Sequence, residues 1–244
     1  MTERLDKLLV ARGLAGSRER AHALILAGRV LVADQVCDKA GTRFAEDVEL
    51  RLKGEDIPFV SRGGLKLEGA LEAFQVDVEG KVALDVGAST GGFTDCLLQH
   101  GAARVFAVDV GYGQLAWKLR TDPRVVVLER TNICAVTPEM LGVAPDIAVI
   151  ECSFTSLVRV APPALALLAP RADVIALIKP QFEVGKGKVG KGGIVRDPAL
   201  RAQVVEDIRQ AALQWGCDIR GVIESPITGV KGNVEYLIHL TCAK

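Results

Sequence analysis

The sequence lacks several features that would identify common protein classes. Basic and acidic residues number 30 each, so the chain has no net charge, and its overall balance does not indicate a polyanionic partner. No signal peptide opens the chain, and Pro, Arg or Asp interrupts its apolar runs well short of a membrane span. We therefore expect a cytoplasmic protein that does not enter a membrane.

Cysteine and histidine are few, and neither is spaced as metal ligands are. The six cysteines are Cys37, Cys96, Cys134, Cys152, Cys217 and Cys242, and the three histidines are His22, His100 and His239. Several cysteines lie in apolar segments, where a free thiol packs as a small hydrophobe. No G-x-S-x-G turn surrounds Cys152 or Ser153, and the histidines are not in site-like contexts. We expect reduced thiols, no bound metal and no hydrolase chemistry.

Residues 1–60 differ in character from the rest of the chain and predict a small module of their own. Thr2 and Ser17 are placed to cap two short helices, since each precedes a segment with helical apolar spacing. Two short strands follow, at 30–32 and 48–52, with polar turns between them. The expected module is two short helices and a β-hairpin.

Positive side chains concentrate around the two predicted helices. They are Arg4, Lys7, Arg12, Arg18, Arg20 and Arg29. Against three acidic residues in the same stretch, this excess is explained by a solvated surface at least as well as by a nucleic-acid contact. The order of parts, a capped helix pair followed by an Arg-Val-Leu-Val strand entry at Arg29, resembles the S4-like RNA-binding domain. That resemblance implies that the basic side chains contact phosphates of folded RNA.

After a connector at 54–64, strand and helix patterns alternate. Strands are predicted at 82–86, 104–108, 125–128, 145–150, 173–178, 219–224 and 234–241, and helices at 64–74, 92–100, 113–120, 155–168 and 197–214. The alternation predicts an α/β fold with a mainly parallel seven-stranded sheet, covered by helices on both faces. No helix separates the last two strands, so we expect an antiparallel hairpin there. The arrangement resembles the Rossmann-like class I methyltransferase fold, and we expect two domains, 1–60 and 61–244.

A glycine-rich turn that begins at Asp85 follows a buried strand and opens a helix. Such a turn lets a ligand approach the backbone N–H groups closely. Gly87, Gly91 and Gly92 do not have the dinucleotide spacing G-x-G-x-x-G. Asp85 suits a cationic ligand better than a pyrophosphate, and Asp109 ends the next strand, where an acid can bind ribose hydroxyls. The pattern indicates S-adenosylmethionine, with an ordinary strand–helix turn as the alternative.

Four ionisable side chains lie at element ends that meet at the carboxyl edge of such a sheet. They are Lys66, Glu151, Lys179 and Glu235. Taken singly, each is explained by a surface charge or an ion pair. The motifs around them are Ser61–Leu67, Asp85–Asp95, Ser153-Phe154, Lys179–Glu183, Gly185–Gly187 and Gly232–Glu235. Together, over essentially the whole chain, they resemble the TlyA family, rRNA 2′-O-methyltransferases with an S4-like domain and an FtsJ-like catalytic domain.

The resemblance implies a Lys-Asp-Lys-Glu catalytic set at these four positions, and Glu151 departs from it. An extra methylene moves the carboxylate by about one bond length, and a misplacement of about 1 Å can slow a reaction roughly 10²-fold. Lys179 is the candidate for the base or for the group that orients the acceptor oxygen. We therefore expect activity at a rate that depends on how Glu151 is accommodated.

The resemblance also implies the ligand contacts. For S-adenosylmethionine they are Asp85, Gly87, Ser89, Thr90, Gly91, Gly92 and Phe93, with Asp109 on the ribose and Asn132 at the adenine. The basic, glycine-rich segment 185–196 is placed to close over RNA with Lys186, Lys188 and Lys191, although a solvated loop explains it too.

The implied partner is ribosomal RNA, with a cytidine in an assembled subunit as the target, and with neither a membrane nor a metal involved. A monomer is compatible with the sequence. The main alternative is an RNA-binding or ribosome-assembly factor that keeps the fold without catalysis, for which Glu151 is the motivating feature. A cytolysin, a label that this family also carries, would need the apolar surface helix or membrane span that the sequence lacks.

Overall fold

The computed structural model describes residues 2–26, 28–53, 57–185, 187, 189–190 and 192–242. The chain divides into two compact units, Met1–Asp56 and Ile57–Lys244. We refer to them as the N-terminal unit and the C-terminal unit.

The N-terminal unit packs two helices against short strands. Its elements are β1 (Thr2–Arg4), α1 (Leu5–Ala11), α2 (Arg18–Leu26), β2 (Val30–Val32), β3 (Gln35–Val36), β4 (Arg43–Ala45) and β5 (Leu50–Leu52). Leu5 and Leu9 of α1 share a core with Leu24 and Ile25 of α2, and all four are at most 2% exposed. Burial of each such side chain contributes about 1.5–3 kcal/mol, so this small core holds the helix pair together.

The predicted local structure of this unit is only partly right. Ser17 Oγ accepts a hydrogen bond from the backbone N–H of Arg20 at 3.1 Å, which confirms it as the cap of α2. Thr2 does not cap α1, because it pairs with Ala45 between β1 and β4 and the helix begins only after Arg4. Instead of one hairpin, β2 pairs with β3 on one side and with β5 on the other.

The C-terminal unit alternates strands and helices around one large sheet. Its helices are α3 (Gly63–Phe74), α4 (Gly92–Gln99), α5 (Trp117–Arg120), α6 (Pro138–Leu141), α7 (Leu157–Leu165), α8 (Pro180–Glu183) and α9 (Pro198–Gln214). Its strands are β6 (Val82–Val86), β7 (Arg104–Val108), β8 (Val125–Leu128), β9 (Ile147–Ile150), β10 (Ala172–Ile178), β11 (Cys217–Glu224) and β12 (Tyr236–Cys242). Asp197 caps α9 by accepting the N–H of Ala199 at 2.9 Å, with Pro198 in the first turn.

The strand order in the described sheet is β11-β12-β10-β9-β6-β7-β8. β12 runs antiparallel to both of its neighbours, and the remaining pairs are parallel. This confirms the predicted seven-stranded, mainly parallel sheet with a terminal hairpin, the Rossmann-like class I methyltransferase fold.

Both faces of the sheet are buried, which explains the near-continuous apolar strands. Leu84 of β6 packs with Val204 of α9 in the cluster on one face. Its neighbour Ala83 packs with Leu67 of α3 and Leu97 of α4 in the cluster on the other face. Consecutive residues of one strand therefore face helices on opposite sides of the sheet.

One cysteine pair contradicts the expectation of free thiols. Cys217 begins β11 and Cys242 ends β12, and the antiparallel register places them opposite each other with 4.1 Å between their Cα atoms. Their sulfur atoms form a disulfide. The sequence could not show this, because only strand register joins two residues 25 positions apart. The cysteines found as free thiols are Cys37, Cys96, Cys134 and Cys152.

The described part of the chain contains neither a membrane helix nor a metal centre. None of its helices is long and apolar enough to cross a bilayer. Nor do three or more His, Cys, Asp or Glu side chains of that part gather in a way that could hold a metal ion.

Candidate active site

The carboxyl edge of the sheet brings the four ionisable residues together. β9 and β10 run parallel, so Glu151 and Lys179, which directly follow them, lie at the same edge. β12 runs the opposite way beside β10, so Glu235, just before its first residue, lies at that edge too. Lys66 reaches it from the first turn of α3. The topology therefore dictates a meeting of two lysine side chains and two glutamate side chains.

Lys66 is the centre of this ion cluster. Its Nζ lies 2.9 Å from Glu151 Oε1 and 2.8 Å from Glu235 Oε2. Both Lys66 and Glu235 are buried. Burial opposes the charge on Lys66, but the two carboxylates outweigh it and raise the pKa of Lys66 above its ordinary value. Lys66 is therefore an ammonium ion at neutral pH.

Lys179 joins the cluster through the same carboxylate oxygen. Its Nζ lies 3.3 Å from Glu151 Oε1 and donates to Ser153 Oγ at 3.2 Å. Gln181, two residues further on, donates from Nε2 to Glu235 Oε1 at 3.0 Å. Sequence reasoning assigned no role to Ser153 or Gln181. The available signal was their position in the motifs that follow Glu151 and Lys179.

The structure accommodates Glu151 where the family pattern has Asp. Its carboxylate contacts both lysines, so the extra methylene does not open the cluster. Gly63 at the start of α3 provides the room, because a Cβ at that position would lie 2.8 Å from Glu151 Oε2. The longer carboxylate and the glycine opposite it therefore fit as a pair.

Cys152 does not carry nucleophilic chemistry. Burial raises the pKa of its thiol to about 12, so the sulfur is protonated at neutral pH. Its Sγ lies 3.6 Å from the carbonyl oxygen of Val86, inside the sheet edge. This geometry agrees with the absence of a hydrolase motif.

The glycine-rich turn passes very close to the neighbouring strand end. Gly87 has a φ of +89°, and a Cβ there would lie 2.6 Å from the carbonyl oxygen of Glu151, so only glycine fits. Asp109 ties the turn down from the other side. Its Oδ2 accepts the N–H of Ser89 at 2.8 Å, and its Oδ1 accepts the N–H of Gly111 at 2.6 Å. The Asp109 carboxylate is thereby fixed in orientation at the sheet edge.

Three residues of the predicted cofactor set line neither of the cavities described below: Asp85, Gly91 and Phe93. Asp85 is fully buried. Thr94 Oγ1 donates to its Oδ2 at 2.6 Å, and Oδ1 has no partner among the described residues. Burial raises the pKa of Asp85 to about 7. A direct contact between Asp85 and a cationic ligand is thus not supported, because its carboxyl group does not reach the surface. Gly91 lies within the turn itself, and Phe93 is buried in the first turn of α4.

Two cavities meet at this edge. The first, which we call the lysine cavity, has a volume of about 230 Å³ and is lined by Ser61, Arg62, Lys66, Thr90, Gly92, Lys179 and Thr228, among others. The second, which we call the Asp109 cavity, has a volume of about 460 Å³ and is lined by Asp109, Gln114, Asn132 and Phe154, among others. Both are lined by Gly87, Ser89, Glu151 and Ser153. The two cavities therefore adjoin at these four residues.

Asn132 lies in the lining of the Asp109 cavity, as expected for an adenine contact. Its Oδ1 accepts the N–H of Cys134 at 2.9 Å and caps a short 3-10 turn, Ile133–Ala135. This hydrogen bond engages the amide oxygen of Asn132 and fixes the orientation of its side chain.

Phe154 is an exposed aromatic residue in the lining of the Asp109 cavity. Its side chain is 92% exposed, and its backbone has a φ of +63°, which is strained for a bulky residue. Its ring centroid lies 5.2 Å from that of Phe182. An exposed ring on a strained backbone is a common feature of residues that contact ligands, so Phe154 is a candidate for such a contact.

The basic residues predicted to bind RNA separate into groups. Arg4 and Arg18 both contact the buried carboxylate of Asp6. Arg20 lies on α2. Lys7, Arg12 and Arg29 make other contacts inside the N-terminal unit. Outside the described residues lie Lys186, Lys188 and Lys191.

Known proteins resemble this chain over both units. The S4 domain family model matches residues 3–50, and the FtsJ-like methyltransferase model matches residues 59–242. YqxC of Bacillus subtilis is 51% identical over 239 residues, which are 98% of this chain and 85% of YqxC. The 16S/23S rRNA (cytidine-2′-O)-methyltransferase TlyA of Mycobacterium tuberculosis H37Rv is 50% identical over 238 residues, which are 97% of this chain and 89% of that protein.

Solved structures also resemble this chain. One from Streptococcus thermophilus that carries the name hemolysin is 43% identical, with a TM-score of 0.78, and the match covers 100% of this chain and 89% of that one. S-adenosylmethionine-dependent methyltransferases at 16–18% identity share the fold at TM-scores of 0.51–0.55.

Proposed function

This chain belongs to the FtsJ-like methyltransferase family and to its TlyA branch, and from that premise we propose that it methylates the 2′-hydroxyl of a ribose in ribosomal RNA. The methyl donor is S-adenosylmethionine. The observation that carries the proposal is the Lys66–Glu151–Lys179–Glu235 cluster. Lys66 and Lys179 line the lysine cavity, and Glu151 lines both cavities. The names of the relatives support a cytidine as the target. Because the proposed substrate is rRNA, we place the protein in the cytoplasm.

The residues of the Asp109 cavity fit S-adenosylmethionine. Its volume of about 460 Å³ is within the range of small-molecule sites. A carboxylate fixed by two backbone N–H groups, as Asp109 is, can accept from both hydroxyls of a ribose. Asn132 supplies an amide for the adenine, and the turn at Gly87 and Ser89 leads to the lysine cavity. When bound, the donor supplies a methyl group activated by a sulfonium.

The lysine cavity suits the acceptor nucleotide. Lys179 is placed to orient the 2′-hydroxyl. In its neutral amine form it would take the hydroxyl proton while the methyl group passes from the donor's sulfur to the oxygen, and the ammonium group so formed pairs with Glu151. Lys66 stays charged, held by Glu151 and Glu235, and fixes the Glu151 carboxylate that in turn positions Lys179. The cluster is held together before the substrate arrives, so little reorganisation is needed at the moment of reaction.

Two further residues support an RNA acceptor. Arg62 lines the lysine cavity and donates from Nη2 to the carbonyl oxygen of Thr228 at 3.0 Å, which leaves other guanidinium donors for a phosphate. Phe154 offers an exposed ring on which a nucleobase can stack.

The proposal is tested by transfer of labelled methyl groups from S-adenosylmethionine to purified small and large ribosomal subunits and to free rRNA. Lys179→Ala is expected to abolish transfer while calorimetry shows nearly unchanged binding of S-adenosylmethionine. Lys81→Ala is the matched control, because Lys81 pairs with Asp173 at the opposite end of the sheet. Unchanged turnover in Lys179→Ala would remove Lys179 from the mechanism, and absence of cofactor binding by the native chain would contradict the proposed activity.

The non-catalytic assembly factor is distinguished in the same assay. Because Glu151 contacts both lysines, we expect the native chain and Glu151→Asp both to be active. Activity in Glu151→Asp alone would favour the assembly factor, since the native residue would then have disabled the site.

A further inference from the structure

The N-terminal unit contains a carboxylate that is surrounded by basic side chains. Asp6 on α1 is 0% exposed. Its Oδ1 and Oδ2 accept from Nε and Nη2 of Arg4 at 3.0 and 3.1 Å. Its Oδ2 also accepts from Arg18 Nη2 at 2.9 Å and lies 3.3 Å from His22 Nε2. One buried acid thus gathers three basic side chains from two elements of the fold.

The charges around Asp6 are distributed unequally between the interior and the surface. The carboxylate is buried, whereas the side chains of Arg4, Arg18 and His22 are 37%, 58% and 49% exposed. The hydrogen bonds from Arg4, together with those from Arg18, outweigh burial and hold the pKa of Asp6 well below its usual range, so Asp6 stays ionised. The acid is therefore hidden from a polyanion while the cations remain in reach of it.

The geometry brings two guanidinium groups to one place. Nη2 of Arg4 and Nη2 of Arg18 lie within 3.1 Å of the same Asp6 oxygen, and each guanidinium has further N–H donors pointing in other directions. His22 follows Arg18 by one turn of α2, so it lies on the same helix face. Side chains held in this way lose less conformational entropy when they bind than unrestrained surface side chains do.

We propose that Asp6 is a positioning residue for RNA binding, which holds Arg4, Arg18 and His22 as one preformed site for a backbone phosphate. The inference rests on the proposed function, because it takes rRNA as the ligand. A simple count of charges gives the opposite expectation, because removal of an acid from a basic surface should strengthen RNA binding. Here removal of the acid weakens binding, since the cations lose their arrangement.

The test measures the affinity of the full chain for a fluorescein-labelled rRNA transcript over a series of salt concentrations. Asp6→Asn keeps the shape of the side chain, and we expect about tenfold weaker binding and a shallower dependence of log K on log salt, by about one to two contacts. Asp34→Asn is the matched control, because Asp34 pairs with Arg51 on the exposed surface of the same unit. It is expected to leave binding unchanged or slightly tighter.

A second pair of variants keeps the test informative if Asp6→Asn unfolds the unit. Arg18→Lys conserves charge at a side chain that is largely exposed but loses the guanidinium fork, and we expect several-fold weaker binding. Arg51→Lys is its control and should bind as the native chain does. Binding of S-adenosylmethionine should be the same in all variants.

The outcomes separate the two proposals. If the native chain binds and methylates the RNA while Asp6→Asn and Arg18→Lys bind it as tightly as their controls, the role of Asp6 is overturned and the proposed function stands. If the native chain binds no rRNA at any salt concentration, the proposed substrate is wrong and this inference is wrong with it.

Discussion

Lys66 and Glu235 form a buried ion pair, with 2.8 Å between Nζ and Oε2 and less than a tenth of either side chain exposed. Glu151 adds a second carboxylate on the same ammonium. A buried pair of this kind is costly to break, because the remaining partner is left charged without compensation. The cluster that we assign to catalysis therefore also affects the stability of the fold.

Removal of Lys66 should destabilise the C-terminal unit. Lys66→Met keeps the length of the side chain but removes the ammonium group that Glu151 and Glu235 share. Because Glu235 loses this ion-pair partner in a buried position, we expect the free energy of unfolding to fall by about 3–5 kcal/mol. Lys81→Met is the control. Its partner Asp173 is partly exposed, so a loss of about 1 kcal/mol or less is expected. Urea unfolding of both variants at pH 7 measures the difference, and equal losses would contradict a buried cluster.

Gly63 and Glu151 should behave as a coupled pair. In Gly63→Ala the new methyl group would meet Glu151 Oε2 at 2.8 Å and push the carboxylate away from the lysines. We expect a fall in methyl transfer of roughly 10²-fold. Glu151→Asp shortens the side chain and should restore most of that activity in the double variant. Strictly additive effects on kcat/KM would show that the two positions are independent.

Asp85 should make stability depend on pH. Its pKa is about 7 in the folded chain, against about 3.8 when unfolded, so the folded state holds a proton that the unfolded state has lost. The free energy of unfolding should therefore fall as pH rises from 4 to 7, by up to about 4 kcal/mol.

Asp85→Asn imitates the protonated carboxyl group and isolates this effect. It should match the native chain near pH 4 and exceed it in stability at pH 8. Asp122→Asn is expected to show the opposite sign, because Arg124 lowers the pKa of Asp122 and its contribution is lost as pH falls. Parallel pH profiles for the native chain and Asp85→Asn would exclude a raised pKa at this position.

Phe154 should contribute to RNA affinity but not to folding. Because its ring is 92% exposed, Phe154→Ala should leave the free energy of unfolding unchanged. Loss of base stacking should raise KM for the RNA about tenfold, with unchanged binding of S-adenosylmethionine. Trp117→Ala removes another exposed aromatic side chain, one that lines neither cavity, and should have no effect. An unfolding defect in Phe154→Ala would mean that its packing on Phe182 matters instead.

The large sheet and its edge could be predicted from the sequence, because buried parallel strands have continuous apolar patterns. Glu151 and Lys179 directly follow two such patterns, so their meeting needed only the rule that parallel strands share a carboxyl edge. Asp85 was harder. An acid before a turn has the same local pattern whether it faces a ligand or the core, and only its burial distinguishes the two.

Contacts between segments that are distant in the sequence could not be predicted either, because they depend on how the chain folds. Thr2 has the chemistry of a helix cap, but its pairing with Ala45 depends on a strand 40 residues away. The cluster around Asp6 was likewise invisible, although the spacing of Arg18 and His22 on one helix face was there to read. His22 is not in a site-like context in the sequence, because its partner Asp6 lies on another helix.

The residues that line both cavities have a consequence for inhibition. Gly87, Ser89, Glu151 and Ser153 line both cavities, so the proposed donor and acceptor sites adjoin at these residues. A single molecule that joins an adenosine to a cytidine ribose through a short amine linker can therefore occupy both cavities at once. Such a bisubstrate compound gains effective concentration at the second cavity and should bind about 10²–10⁴-fold more tightly than either half.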